Sequence, residues 1–125
     1  MKKILIIDDD ILFHKMMSVK LNENGYEVVT ASDGQDGLKK AIEEKPDLIL
    51  LDMKMPKLDG IGFLNALKEK KDISPIPILI TSNLSSIDKI SEGISFGVKG
   101  YIIKSDESLD TIAKEVDAIL NPKDK

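Results

Sequence analysis

The sequence predicts an α/β fold in which five parallel strands, in the order 2-1-3-4-5, alternate with five helices. Short and almost wholly apolar runs alternate along the 125-residue chain with longer segments whose apolar residues recur at helical spacing. Strict alternation of strands and helices is typical of a doubly wound parallel sheet with helices on both faces. The runs contain few polar residues, as expected for strands that are buried on both sides.

Apolar runs of strand length, each closed by turn residues or by a polar residue, predict the five strands. In chain order these runs are residues 4–7, 26–30, 48–51, 76–80 and 101–103. Aspartates follow the first and third runs, Thr81 and Ser82 follow the fourth, and Lys104 follows the fifth. Five strands joined in this way suit the flavodoxin-like class, in which the strand order reverses between strands one and three.

Apolar residues spaced mostly three or four positions apart predict one helix after each strand. In chain order the residues that mark these helices are Leu12, Met16 and Val19; Leu38, Ala41 and Ile42; Ile61, Leu64 and Leu67; Ile87, Ile90 and Ile94; and Leu109, Ile112, Val116 and Ile119. Asn24-Gly25 stops the first helix and Asn121-Pro122 stops the last. Asp10 is expected to cap the first helix, and His14 is expected on its surface. No repeat or linker interrupts the pattern, so we expect one domain over residues 1–125.

The composition argues against several classes of function. Cysteine is absent, which excludes disulfides and thiolate metal sites. The net charge is −4 and all 18 basic residues are lysine, which disfavours direct reading of bases in DNA. The amino-terminal apolar run is too short for a signal peptide, and no apolar stretch reaches membrane-spanning length. We therefore expect a cytoplasmic protein that binds neither nucleic acid nor membranes.

Acidic and polar side chains follow the apolar strands at the edge where a parallel sheet binds its ligands. Strand one ends in Asp8 and Asp9, strand three ends in Asp52, and the next two strands end in Thr81 and Lys104. Three carboxylates in one crevice raise one another's pKa unless a cation neutralises them. Because every available ligand is an oxygen, the sequence favours Mg²⁺ over zinc.

This set of side chains suits the transfer of a phosphoryl group. A carboxylate beside Mg²⁺ can act as a nucleophile and form an aspartyl phosphate. Such transfer depends mostly on positioning and on stabilisation of charge. We expect Lys104 to neutralise one phosphoryl oxygen and the Thr81 hydroxyl to donate a hydrogen bond to another.

Several motifs carry a resemblance to a known family. They are Ile-Ile-Asp8-Asp9, Leu-Leu-Asp52-Met-Lys-Met-Pro56, Asp59-Gly60, Ile-Thr81-Ser82 and Gly100-Tyr101-Ile-Ile-Lys104. In this order, each at a strand end or in the loop that follows it, they resemble the receiver domain of bacterial response regulators over residues 2–120. The resemblance implies a switch that is controlled by phosphorylation.

The resemblance assigns the acidic residues to a phosphoryl acceptor and its metal. Asp52 would take the phosphoryl group. Asp9 and Asp52 would bind Mg²⁺ directly, together with the backbone carbonyl of Lys54, and Asp8 would act mainly through a metal-bound water. Lys54 and Asn83 occupy positions that modulate the lifetime of the phosphoryl group in this family.

The resemblance also assigns a switch pair and a phosphate-binding lysine. Thr81 and Tyr101 would form the switch pair, and Lys104 would bind the phosphoryl group. The family usually has a proline after this lysine, joined by a cis bond, whereas this chain has Ser105. A cis bond to a residue other than proline costs roughly 3–4 kcal/mol, so we expect a trans bond here.

The resemblance further implies partners. A histidine kinase or a histidine phosphotransfer protein would donate the phosphoryl group, and the domain would catalyse its own phosphorylation and slow dephosphorylation without being a turnover enzyme. An output partner would bind the face formed by helix four, strand five and helix five. The chain would be a monomer or a dimer that forms on phosphorylation.

Three alternatives stay open at this point. The chain could be the receiver fragment of a longer DNA-binding transcriptional regulator. It could be a phosphohydrolase with an aspartyl-phosphate intermediate, but the nucleophile of such enzymes leads an Asp-x-Asp pair after strand one. It could be a flavodoxin, but the loop after strand one is acidic and would repel a flavin phosphate.

Overall fold

A five-stranded parallel sheet forms the centre of the structure, a computed structural model that describes residues 1–70, 75–83 and 87–122. The strands are β1 Lys3–Ile7, β2 Glu27–Ala31, β3 Leu48–Leu51, β4 Ile78–Ser82 and β5 Gly100–Ile103. Their order is β2-β1-β3-β4-β5, and every neighbouring pair is parallel. The predicted flavodoxin-like α/β class and its strand order are confirmed.

Five helices connect and follow the strands, and side-chain caps begin most of them. The helices are α1 Ile11–Glu23, α2 Gly34–Glu44, α3 Gly60–Lys68, α4 Ile87–Ile94 and α5 Leu109–Leu120. Asp10, Asp33, Asp59 and Ser108 each accept a hydrogen bond from the backbone N–H three residues further on. Such caps satisfy N–H groups that have no partner within the helix, and the predicted capping role of Asp10 is confirmed. Within the described residues, no helix is long and apolar enough to cross a membrane.

The two faces of the sheet carry separate hydrophobic cores because successive strand residues point to opposite sides. On one face, Ile6 packs in a cluster with Met17 of α1 and Val116 of α5. On the other face, Ile7 belongs to a cluster that includes Phe63 of α3 and side chains of α2 and α4. The central strands β1 and β3 are therefore buried on both sides, and their polar neighbours lie at the ends.

Two strands are shifted relative to the prediction. β2 begins at Glu27 rather than at Tyr26, whose side chain is buried and whose hydroxyl bonds to Asp117 of α5. β4 spans Ile78–Ser82 rather than residues 76–80. Pro77 has no N–H to donate to a neighbouring strand, which favours a later start of β4. Thr81 and Ser82 are therefore the last two residues of β4, where they pair with β5, and do not follow the strand as predicted.

The first helix is confirmed, but its buried side was not the predicted one. Leu12 and Val19, which mark the helix in the sequence, are 62% and 59% exposed, and Met16 is also exposed. Phe13, Met17 and Leu21 of α1 face the sheet instead. Apolar residues occur on more than one side of this helix, so spacing alone does not select the buried side.

Two further expectations about helices need correction. His14 is buried, with 7% of its surface exposed, so its expected position on the surface was wrong. Its Nε2 has no hydrogen-bond partner among the described residues. In α4, Ile90 is buried as expected, whereas Ile94 is half exposed; the side chain of Ile87 lies outside the described part of the structure.

Candidate functional site

The candidate site lies at the carboxyl edge of the sheet, where the ends of β1 and β3 are held side by side. The N–H of Asp52 donates to the carbonyl of Ile7 at 2.9 Å, and the N–H of Asp8 donates to the carbonyl of Ala31 at 3.0 Å. These bonds continue the strand ladders by one residue. These backbone hydrogen bonds therefore fix the backbone positions of Asp8 and Asp52, to which the two carboxylates are attached.

The three predicted carboxylates converge in this crevice. One oxygen each of Asp8, Asp9 and Asp52 can be chosen so that all three lie within 4.8 Å of one another. Asp8 and Asp52 are buried, whereas Asp9 is exposed. The acidic cluster that the strand ends predict is thus confirmed as a spatial cluster.

Burial and mutual repulsion raise the pKa values of the two buried carboxyls. Burial is the main reason that the pKa of Asp52 rises from 3.8 to about 6, the negative charge of Asp8 raises it further, and Lys104 partly opposes both effects. Burial also raises the pKa of Asp8, against the hydrogen bonds from Lys104 and from the N–H of Asp10. Negative charge in the crevice is therefore not fully compensated by its protein neighbours.

This arrangement fits a hard divalent cation. Carboxylate oxygens are the ligands that Mg²⁺ prefers, and an incompletely compensated carboxylate cluster gains from binding one. Asp8, Asp9 and Asp52 are the residues that fit such an ion. The N–H of Lys54 lies 3.4 Å from Asp52 Oδ1, and the ligand role of the Lys54 carbonyl stays a prediction.

Lys104 reaches into the crevice from the end of β5. Its Nζ lies 2.7 Å from Asp8 Oδ2 and 4.7 Å from the centre of the Phe13 ring, so the ammonium group is held between an anion and an aromatic face. Its backbone N–H donates to the carbonyl of Ser82 at 2.8 Å. The described residues contain no cis peptide bond, in agreement with the expected trans bond before Ser105. Lys104 is therefore aimed at the site without the usual proline.

Two hydroxyl groups at the end of β4 have different environments. Thr81 is fully buried, and its Oγ1 has no hydrogen-bond partner among the described residues. Ser82 is also fully buried, and its Oγ donates to Asp52 Oδ1 at 3.0 Å and accepts from the N–H of Met53 at 3.0 Å. The position of Ser82 after the fourth apolar run predicts this edge of the sheet, but nothing in the sequence indicates its contact with Asp52.

The remaining predicted residues lie around the crevice. Tyr101 of β5 is 51% exposed, so its ring is on the surface. Lys54 and Asn83 follow β3 and β4 and are both exposed. Phe13, which the sequence marks only as an apolar residue of α1, contacts the site through Lys104; no motif indicated this role.

Known proteins resemble the chain in both sequence and structure. The family model for the response regulator receiver domain matches residues 4–117. The alkaline phosphatase synthesis transcriptional regulatory protein PhoP of Bacillus subtilis is 43% identical over 103 residues, which are 82% of this chain and 42% of that protein. The DNA-binding dual master transcriptional regulator RpaA of Synechocystis is 34% identical over 100% of this chain and 52% of that protein. The chain thus spans about half of these curated relatives, or less.

Solved structures match over nearly their whole length. The chemotaxis protein CheY4 of Vibrio cholerae is 34% identical with a TM-score of 0.85, covering 96% of this chain and 99% of that one. The receiver domain of the Francisella response regulator 1452 is 32% identical with a TM-score of 0.83, covering 96% and 97%. The whole fold described above is therefore shared with these proteins.

Proposed function

We propose that this chain, which belongs to the response regulator receiver domain family, accepts a phosphoryl group on Asp52 and changes its surface in response. Members of this family act in two-component systems, in which a histidine kinase supplies the phosphoryl group. We take residues 1–125 as one such domain. The observation that carries the proposal is the convergence of Asp8, Asp9 and Asp52 with Lys104 at one edge of the sheet.

Each side chain of the crevice has a separate role in phosphoryl transfer. An oxygen of the Asp52 carboxylate attacks phosphorus, and the leaving group departs with the electron pair of the broken bond. Lys104 leaves its contact with Asp8 to neutralise a phosphoryl oxygen. Asp8, Asp9, Asp52 and the carbonyl of Lys54 would hold Mg²⁺, which when bound neutralises charge on the carboxylates and on the phosphoryl group. The domain catalyses this reaction on itself, and hydrolysis of the product is slow.

The switch begins at Thr81. Within the described residues its buried hydroxyl has no hydrogen-bond partner, and an unsatisfied buried polar group costs about 1–3 kcal/mol. A phosphoryl oxygen on Asp52 offers the missing acceptor and draws Thr81 toward it. Tyr101, now half exposed, then packs inward, and the face of α4, β5 and α5 changes for an output partner.

The family match supports the partners that the resemblance implies. A histidine kinase or a histidine phosphotransfer protein donates the phosphoryl group, and an output protein or a second copy of the domain binds the changed face. The similarity to the longer regulators PhoP and RpaA favours a second proposal, that the same switch controls a DNA-binding region of a longer protein. The family match favours both proposals over a phosphohydrolase or a flavodoxin.

Intact-mass measurement after incubation with acetyl phosphate and Mg²⁺ tests the acceptor. Wild type should gain one phosphoryl group, and Asp52→Asn should gain none. Asp88→Asn makes the same chemical change on the exposed side of α4 and serves as the matched control. Equal labelling of wild type and Asp52→Asn would show that Asp52 is not the acceptor.

A further inference from the structure

We propose that Ser82 is a positioning residue for phosphoryl transfer, and that its hydroxyl group selects the oxygen of Asp52 that attacks the phosphoryl donor. The inference rests on the proposed role of Asp52 as acceptor. It starts from the two hydrogen bonds that one buried hydroxyl group makes at the end of β4.

The direction of these bonds is fixed by their partners. A serine hydroxyl has one proton to donate and lone pairs to accept. The N–H of Met53 can only donate, so it occupies a lone pair of Ser82 Oγ at 3.0 Å. The proton of Ser82 is then free for Asp52 Oδ1, also at 3.0 Å. Ser82 therefore ties the Asp52 side chain to the backbone of the next residue.

The two oxygens of the Asp52 carboxylate are consequently not equivalent. Oδ1 accepts from Ser82 and has the N–H of Lys54 at 3.4 Å. In the described parts of the chain, no donor forms a hydrogen bond with Oδ2. A hydrogen bond withdraws electron density from its acceptor, so Oδ2 is the more nucleophilic oxygen. The terminal torsion of an aspartate has a broad energy minimum, and a fixed donor is needed to keep this oxygen in one place.

The same contact survives the reaction. Oδ2 forms the new bond to phosphorus, the bond between phosphorus and the leaving oxygen of acetyl phosphate breaks, and acetate departs with the electron pair. Oδ1 becomes the carbonyl oxygen of the aspartyl phosphate and still accepts from Ser82. Ser82 gives up no proton in this step, so it positions the nucleophile and does not act as an acid or a base.

Ser82 is distinct from its neighbour Thr81 in this respect. The Thr81 hydroxyl has no partner among the described residues and is available for a phosphoryl oxygen. The Ser82 hydroxyl already has both partners before any phosphoryl group arrives. Loss of the Ser82 hydroxyl should therefore slow formation of the aspartyl phosphate by leaving the Asp52 carboxylate free to rotate.

The test compares rates of phosphorylation by acetyl phosphate with Mg²⁺, followed by intact mass. Ser82→Ala should be about tenfold slower than wild type, as expected for a displaced nucleophile. Ser82→Thr keeps the hydroxyl and should restore most of the rate. Ser95→Ala removes a hydroxyl that, among the described residues, donates an exposed hydrogen bond to the carbonyl of Glu92, and it should react at the wild-type rate. Thermal unfolding of each variant shows that it is folded.

The outcomes separate this inference from the proposed function. If wild type gains no phosphoryl group on Asp52, the proposed function fails, and this inference fails with it. If wild type is labelled and folded Ser82→Ala is labelled equally fast, only the role of Ser82 is refuted. If Ser82→Ala and Ser82→Thr are both folded and equally slow, the loss of rate is due to altered packing, and the role of the Ser82 hydroxyl is also refuted. If Ser82→Ala does not fold, Ser82→Cys takes its place, because its thiol is similar in size and only a weak donor. Ser82→Cys should then be phosphorylated more slowly than wild type, and a wild-type rate would refute the role of Ser82.

Discussion

Replacing the acceptor carboxyl should stabilise the metal-free protein at neutral pH. Asp52 is almost fully buried, and burial together with Asp8 raises its pKa to about 6. At neutral pH the folded protein must therefore hold a charge that burial disfavours. Asp52→Asn removes this charge and keeps an oxygen that can accept the hydrogen bond from Ser82. The variant should unfold at a higher denaturant concentration than wild type.

The size and pH dependence of the gain follow from the pKa. The difference between the ordinary value of 3.8 and about 6 corresponds to about 3 kcal/mol of unfolding free energy. Because the folded pKa is the higher one, the folded state binds this proton more tightly than the unfolded chain does. The stability from the proton is fully present below the unfolded pKa and is lost as the pH rises through the folded pKa. The advantage of Asp52→Asn should therefore grow between about pH 4 and pH 6 and stay level above that range.

Urea denaturation in the presence of a chelator, at several pH values, measures this gain. The quantity is the difference in unfolding free energy between Asp52→Asn and wild type, which cancels the other titrating groups to first order. Asp88→Asn, on the exposed side of α4, should show no comparable gain. A difference that is absent at pH 7, or that does not shrink toward pH 4, would refute the argument that the crevice carries uncompensated charge.

Three further predictions concern the same crevice. Mg²⁺ at about 100 times its Kd should stabilise wild type by about 2.7 kcal/mol, and Asp9→Ala should abolish this gain in thermal unfolding; an unchanged Mg²⁺ affinity would argue against ligation by Asp9. Lys104→Met keeps the apolar stem but leaves buried Asp8 without its ion pair, so it should lower the unfolding free energy by about 3 kcal/mol at pH 7. This loss of stability should be smaller at acid pH, where Asp8 is protonated. An equal loss at both pH values would contradict this cause. Lys54→Ala should speed loss of the phosphoryl group with Mg²⁺ present, because a lysine there can shield the anion. If Lys54→Ala loses the phosphoryl group no faster than wild type and a Lys57→Ala control, shielding by Lys54 is contradicted.

The location of the site could be predicted from sequence because parallel strands share one edge. Every apolar run that contributes to the site is followed directly by its polar residue, so Asp8, Asp52 and Lys104 could be placed together without coordinates. The structure confirms this convergence, and Lys104 contacts Asp8 as a consequence. The contacts of Ser82 and Phe13 could not be predicted in this way, because they depend on side-chain directions that the strand pattern does not fix.

Hydrophobic pattern and strand ends by themselves determined the α/β class, the strand order and the edge that carries the carboxylates. The strands and helices follow from the chain's local periodicity, and the strand order and ligand-binding edge follow from the doubly wound class that their alternation suits. Only the tertiary structure decided which side of α1 is buried, since Leu12 and Phe13 are both apolar but only Phe13 faces the sheet. It also decided the burial of His14 and the unequal oxygens of Asp52. Close packing selects one rotation of each helix and one partner for each polar atom, and that selection depends on residues far apart in the chain.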